Sequence, residues 1–167
     1  VAYGSMINSA FSVWGARCAG KEGESSSAAR LDHIVEIDFS GIAKGHAVDR
    51  VSDRLTALGA TSHLIEIGGE LKGRGVKPDA QPWWVEIERV EGAAFPRTVA
   101  ALFDLAVATS GDYRRSFEHA GRRYAHTIDG STGRPVANAL ASVTVLHLSA
   151  MKADAYATAL MVMGGFE

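Results

Sequence analysis

Apolar positions recur along this chain with two periods, and the period in force at each point predicts the element. From His33 to Phe39 they alternate with polar residues, which predicts a strand. Gly41 to Gly45 reads as a turn. Beyond it Ala47, Val48, Val51, Leu55 and Leu58 fall at helical spacing, predicting a helix over His46–Leu58 that Gly59 ends. Leu64–Ile67 predicts a short strand running into Gly68-Gly69, and Trp83–Ile87, after Pro82, predicts another. Ala100–Ala108 and Ser142–Leu148 are apolar and β-prone. Between them Tyr113, Arg115 and Phe117 alternate, a turn falls near Gly121, and Tyr124, His126 and Ile128 alternate in reply, the pattern of a hairpin. The last element is a helix. Ser149 is placed to cap its N-terminus, and Ala, Met and Leu run on to Gly164-Gly165, which ends it. Many strands with two helices, out of strict β-α alternation and without internal repeats, predict an α+β fold. The first thirty residues are the least regular, with a small aromatic patch at Phe11–Gly15 and a polar, Ser-rich loop from Gly20 to Arg30.

Composition narrows the classes of function. At 167 residues the chain is long enough for one domain with a substantial core. Its formal net charge is -2 and its Lys and Arg are scattered, so it lacks the footprint of a nucleic-acid or anionic-membrane binder. No apolar run reaches the length that spans a bilayer. Cys18 stands alone, which excludes an internal disulfide or a cysteine metal cluster and leaves the redox compartment open. The chain opens at Val1 without Met or signal peptide and stops at Glu167 directly after a helix. It therefore reads as a single domain over residues 1–167 that has been cut at both ends.

Three stretches carry candidate chemistry. Asp154 and Thr158 lie four apart on the last helix, so their side chains share one face. One carboxylate and one hydroxyl at that spacing suit a hard cation such as Mg²⁺, completed by water and substrate phosphate; a lone D-x-x-x-T is far more often a surface Asp and a helix-tolerated Thr. In Asp38-Phe-Ser-Gly41-Ile-Ala-Lys44-Gly45-His-Ala-Val-Asp49 a strand turns through two glycines into a helix, whose free N–H groups and dipole favour phosphate, with Lys44 adding a charge. The spacing is not that of the P-loop, because His46 follows Gly45, and Gly68 to Gly75 lacks the dinucleotide fingerprint. In isolation these glycines are ordinary turns and Lys44 a solvated side chain. The third stretch is Thr109-Ser110-Gly111-Asp112-Tyr113, followed by Arg123 to Pro135. There His126 ends a strand near Asp129 and can serve as a general base, although a lone His is more often structural. No His pair has zinc-ligand spacing.

In this order the stretches resemble the ApbE family of flavin transferases (FAD:protein FMN transferases). The residues that carry the resemblance are Asp38 to Asp49, Ile67-Gly-Gly-Glu70, Pro82-Trp-Trp-Val85, Thr109-Ser-Gly-Asp-Tyr113, Tyr124-Ala-His-Thr-Ile-Asp129, Thr132-Gly-Arg-Pro135, Ser142-Val-Thr-Val145 and Ala153-Asp-Ala-Tyr-Ala-Thr158. It spans roughly residues 31 to 165, and its strength lies in the joint order of motifs. Trp14-Gly15 matches an upstream Trp-Gly element of the family.

The resemblance implies a T-fold-like α+β architecture, with a mixed or antiparallel sheet and packed helices. It implies Mg²⁺-dependent cleavage of the FAD pyrophosphate, moving FMN onto a Thr or Ser hydroxyl of an acceptor protein with a Ser/Thr-Gly-Ala-Thr-type segment and releasing AMP. Carried over by position, Asp154, Thr158 and the carbonyl of Gly41 would hold the metal. Asp38 and Lys44 would touch FAD, Ile128 would lie along the flavin nucleotide, and His126 matches a His important for activity. A periplasmic or membrane-anchored location follows from the resemblance alone, with a cytoplasmic one left open. Two departures stand out: Gly130 takes the place of a usual Pro, and Glu70 that of a common Asp. Family members are also considerably longer. The alternatives are a Mg²⁺-dependent FAD pyrophosphatase, with water replacing the protein hydroxyl, and a flavin-binding module without turnover.

Overall fold

The computed structural model describes residues 38–90, 92, 96–112 and 116–165. Most of the strand expected over His33–Phe39, the Phe11 patch, the Ser-rich loop and Cys18 lie outside them. Asp38 and Phe39, at the end of that expected strand, belong to no strand.

Two helices and ten strands make up the described residues. Helix α1 (Ala43–Ala57) is followed by β1 (His63–Ile67) and β2 (Glu70–Arg74), which form a hairpin through Gly68-Gly69. Strands β3 (Trp83–Glu86) and β4 (Val99–Leu102) pair as a ribbon, and β5 (Leu105–Gly111) follows at once. Two small ribbons come next: β6 (Ser116–His119) with β7 (Arg122–Ala125), and β8 (Ile128–Asp129) with β9 (Arg134–Pro135). Strand β10 (Ser142–His147) leads into α2 (Ala150–Met163). The main sheet has the order β1-β2-β5-β10 and is antiparallel at every pairing. This is the α+β class expected.

Period-two alternation sorts the sheet's side chains into two cores. On one face Ile65 and Ala106 meet Val48 of α1 and Ala150 of α2, with Leu55 and Ile67 packed around them. On the other face Val107 meets Ala100 and Leu102 of β4, with Leu71, Leu105, Trp83 and Val85 packed alongside. Leu102 is fully buried, which contributes about 2–3 kcal/mol. Helix α2 buries Ala150, Ala153, Ala155 and Ala157, and these small residues let it sit close to α1, β5 and β10 at once.

Several boundaries differ from the sequence pattern, each for a physical reason. The first helix begins at Ala43, three residues before the predicted start at His46, because Phe39 O accepts the N–H groups of Ile42 and Ala43 and starts the turn early. The apolar run Ala100–Ala108 is two strands, split where Asp104 turns with φ 51° and accepts the Gly75 N–H at 3.1 Å. Strand β2 has no apolar signature, yet it is central in the sheet. Its helix-facing positions are Glu70 and Lys72, kept there by ion pairs with Lys44 and Asp49. The hairpin near Gly121 is present, but β7 stops at Ala125. His126 sits at a bend and Ile128 starts a separate ribbon, so Tyr124, His126 and Ile128 do not share one strand face.

Candidate active site

The site is built where the two helices meet. Ser149 caps α2 in extended conformation (φ -107°, ψ 126°), its Oγ accepting the Lys152 N–H at 3.3 Å. A second cap comes from α1. The Asp49 carboxylate accepts from Ser149 Oγ at 2.7 Å and from the backbone N–H groups of Ala150 and Met151, both at 3.0 Å. Lys72 Nζ lies 2.6 Å from the same carboxylate. Burial raises the Asp49 pKa, but these donors outweigh it and hold the carboxyl below its ordinary value.

Contact between the helices is as close as backbone allows. A Cβ on Gly45 would stand 2.3 Å from Ala150 O and 2.8 Å from Asp154 Cβ, so only glycine fits. The Gly45 N–H donates to Asp154 Oδ2 at 2.9 Å. The free N–H expected here for phosphate is therefore already engaged, and Gly45 is part of the helix rather than of a turn. Gly41 lies against Thr158: a Cβ there would stand 2.9 Å from Thr158 Cγ2 and 3.1 Å from its Oγ1. Gly41 is thus brought beside Asp154 and Thr158, more than 100 residues away in sequence.

All three line a cleft of about 1120 Å³, and so do Asp38, Lys44, His126 and Ile128. Asp38 is exposed, and its two oxygens accept the Ser40 N–H at 2.7 Å and Ser40 Oγ at 2.9 Å, which fixes the turn entering α1. Lys44 Nζ is 2.6 Å from Glu70 Oε1 and 3.5 Å from Gly68 O, so it is a paired cation whose side chain remains partly exposed to solvent. His126 and Ile128 are exposed, Ile128 at 40%. Asp129 accepts from Ser131 N, Ser131 Oγ and Thr132 Oγ1. These bonds, the Ser131 hydroxyl first, hold its carboxyl below the ordinary value and commit it to the turn, which argues against Asp129 as a base.

Among the charged residues that line the cleft, Asp154 is the buried one, and Glu70 lies behind it. Asp154 is 3% exposed, and burial pushes its carboxyl above the ordinary value, against the pull of the Gly45 N–H and Lys44. Burial likewise raises Glu70; Lys44 opposes this and the nearby Asp154 charge adds to it. Glu70 Oε2 is buried without a hydrogen-bond partner among the described residues. Two carboxylates that resist being charged in close company make a place where added positive charge is stabilised.

Sequence reasoning assigned no part in the site to Asp49 or Ser110, and saw Glu70 only as a departure. Asp49 did have a signal, since it lies four residues after Gly45 and shares its helix face. Ser110 and Glu70 had none, because their partners come from other elements.

Residues 9–167 match the ApbE family. The chain belongs to that family. It is 48% identical over 131 residues to the FAD:protein FMN transferase of Vibrio cholerae, covering 77% of this chain and 39% of that protein. To the FAD:protein FMN transferase of Haemophilus influenzae it is 42% identical over 132 residues, covering 78% of this chain and 38% of that one. Among solved structures, the Pseudomonas stutzeri flavinyl transferase ApbE in its apo form aligns with a TM-score of 0.69 at 49% identity, over 78% of this chain and 40% of that one. The ApbE protein of Thermotoga maritima aligns at 0.68 and 37% identity, over 77% of this chain and 41% of that one. The chain thus spans about two-fifths of the length of these ApbE relatives.

Proposed function

We propose that this chain acts as an FAD:protein FMN transferase, moving FMN from FAD to a Thr or Ser hydroxyl of an acceptor protein and releasing AMP. Mg²⁺ would be held by the Asp154 carboxylate, the Thr158 hydroxyl and the Gly41 carbonyl. One observation carries this reading beyond the names of the relatives: α1 and α2 are locked together so that Gly41, Asp154 and Thr158 converge on the cleft that also receives Lys44 and His126.

The donors fit the metal. They are hard oxygens, and only one is charged, which suits an ion that keeps places for water and phosphate. The Gly45 N–H occupies Oδ2 of Asp154 and leaves Oδ1 for a cation. Bound Mg²⁺ supplies a Lewis acid that draws charge from the pyrophosphate oxygens.

The chain's own groups do the rest. Lys44 has three N–H donors and spends one on Glu70 and a long one on Gly68 O, so a third is available to a phosphate oxygen. Ile128 offers an exposed apolar surface for the flavin ring, and Asp38 borders the same cleft. His126 takes the proton of the acceptor hydroxyl as its oxygen attacks the FMN phosphorus; the bond from that phosphorus to the bridging oxygen breaks, and AMP leaves with it.

A second reading has one observation in its favour. His126 is exposed, so water can reach it as readily as a protein hydroxyl, and FAD would then be split to FMN and AMP. Incubation of the chain with FAD, Mg²⁺ and an acceptor domain bearing a Ser/Thr-Gly-Ala-Thr-type segment separates the cases. Flavin fluorescence retained on the denatured acceptor is the expected result. FMN and AMP without labelled acceptor would mean a pyrophosphatase, and FAD bound but intact would mean a binding module.

A further inference from the structure

We propose that Ser110 is a positioning residue whose Oγ accepts the hydrogen bond of the Thr158 hydroxyl and so turns a Thr158 lone pair toward the metal. This rests on the metal reading above and adds a residue to it. A neutral hydroxyl has one hydrogen and two lone pairs. When it faces a cation the hydrogen must point away, and the cation's pull makes that hydrogen a stronger donor, so an acceptor behind the ligand is needed. Ser110 Oγ lies 3.0 Å from Thr158 Oγ1.

The fold contains its own control. A helical Thr ordinarily bonds back to the carbonyl four residues earlier, which uses the hydroxyl locally. Thr56 on α1 does so, donating to Ser52 O at 2.9 Å. Thr158, also within a helix, shows Ser110 as its hydroxyl partner among the described residues. Ser110 reaches it because β5 runs beneath α2: Ala106, Ala108 and Ser110 alternate onto the helix-facing side, and the last carries a hydroxyl where the first two carry only a methyl. On its other side Thr158 is confined by Gly41, whose added Cβ would stand 2.9 Å from Thr158 Cγ2. The side chain is thereby held between Gly41 and Ser110, and both Ser110 and Thr158 line the cleft.

The test measures Mn²⁺ binding by electron paramagnetic resonance, without FAD or acceptor. Ser110→Ala is expected to weaken Mn²⁺ about 10-fold, and Ser110→Thr, which keeps the hydroxyl, to restore it. In FMN transfer the same loss should appear as a raised Mg²⁺ requirement with little change in rate at saturating Mg²⁺. In a Thr158→Val background Ser110→Ala should have no further effect, which separates coupling from general damage to folding. Wild-type affinity in a folded Ser110→Ala, or an undiminished loss in the Thr158→Val background, overturns the proposal while leaving the metal site standing. Mn²⁺ binding that is unaffected by Asp154→Asn overturns the metal reading itself, and Ser110's part with it.

Discussion

The α1–α2 junction and the segment His126–Ser131 border the same cleft, and the junction and the two ribbons between Ser116 and Pro135 are built in opposite ways. At the junction Gly45, Ala150, Ala153 and Asp154 are buried, the Asp49 carboxylate caps α2 from outside, and backbone meets backbone. The ribbons are thin. All four residues of β6 are exposed, its side-chain tie to β7 is a Phe117–Tyr124 ring stack at 5.2 Å, and Arg123 anchors the pair through the Asp112 carbonyl at 2.8 Å. A two-stranded ribbon is marginal by itself. Groups that resist being charged need a rigid frame to hold them together, and Asp154 and Glu70 have one. In the proposed reaction His126 and Ile128 need only reach the substrate, and they are carried on the lighter, more exposed side.

The sharpest break of this contrast is Asp154→Asn. It removes charge from the rigid wall, and metal-dependent AMP release from FAD is expected to fall about 10³-fold or more with the fold retained. Thr158→Val should lose less, because the carboxylate remains. Equal AMP release by wild type and Asp154→Asn at limiting Mg²⁺ would remove Asp154 from the site.

On the lighter side, His126→Asn is expected to lower FMN transfer roughly 10²–10⁴-fold, while FAD and Mg²⁺ binding and the melting temperature stay near wild type. A drop in melting temperature that accounts for the lost activity would make His126 structural, and the two regions would then be less different than they look.

Gly45→Ala tests the closeness of the frame. Its methyl would meet Ala150 O and Asp154 Cβ, so the helices must part, with a loss of about 3 kcal/mol in denaturant unfolding. Gly165→Ala, with no atom within 4 Å of the added Cβ, should change stability by less than about 0.5 kcal/mol. Similar losses in both would show that the junction is not tightly packed.

Apart from the Gly165→Ala control, the smallest expected effect is that of Asp49→Asn, about 1–2 kcal/mol, because an amide cannot accept all four donors. Its sign with pH is fixed. The folded Asp49 pKa lies below the ordinary aspartate value, so its stabilisation is complete above about pH 4 and is lost as pH falls through the folded value. Urea titrations of wild type and Asp49→Asn should therefore differ at pH 7 and converge in acid. A gap that widens in acid would contradict the cap.

The sequence already showed much of the frame. Helix α2 was legible from Ser149 to Gly164, and so was the Asp154–Thr158 pair, because a cap, a period and an i, i+4 spacing are properties of neighbouring residues. The hairpin near Gly121 was legible for the same reason, although its second strand read too long: alternation continues through His126 and Ile128 after the pairing has ended. Strand β2 was hidden, since a strand that buries ion-paired Glu70 and Lys72 has no apolar period to read.

What the sequence by itself determined, then, is the α+β class, the elements with a clear period, and the candidate residues of the cleft as types at fixed spacings. Tertiary structure alone decided their partners. Asp49 caps a helix whose Ser149 lies 100 residues away, Lys44 pairs with a Glu70 that reads as an ordinary polar residue, and Ser110 meets Thr158 across the boundary between sheet and helix. Hydrogen bonds act over about 3 Å, and which distant atoms come that close depends on strand register and helix packing, not on any pattern in consecutive residues.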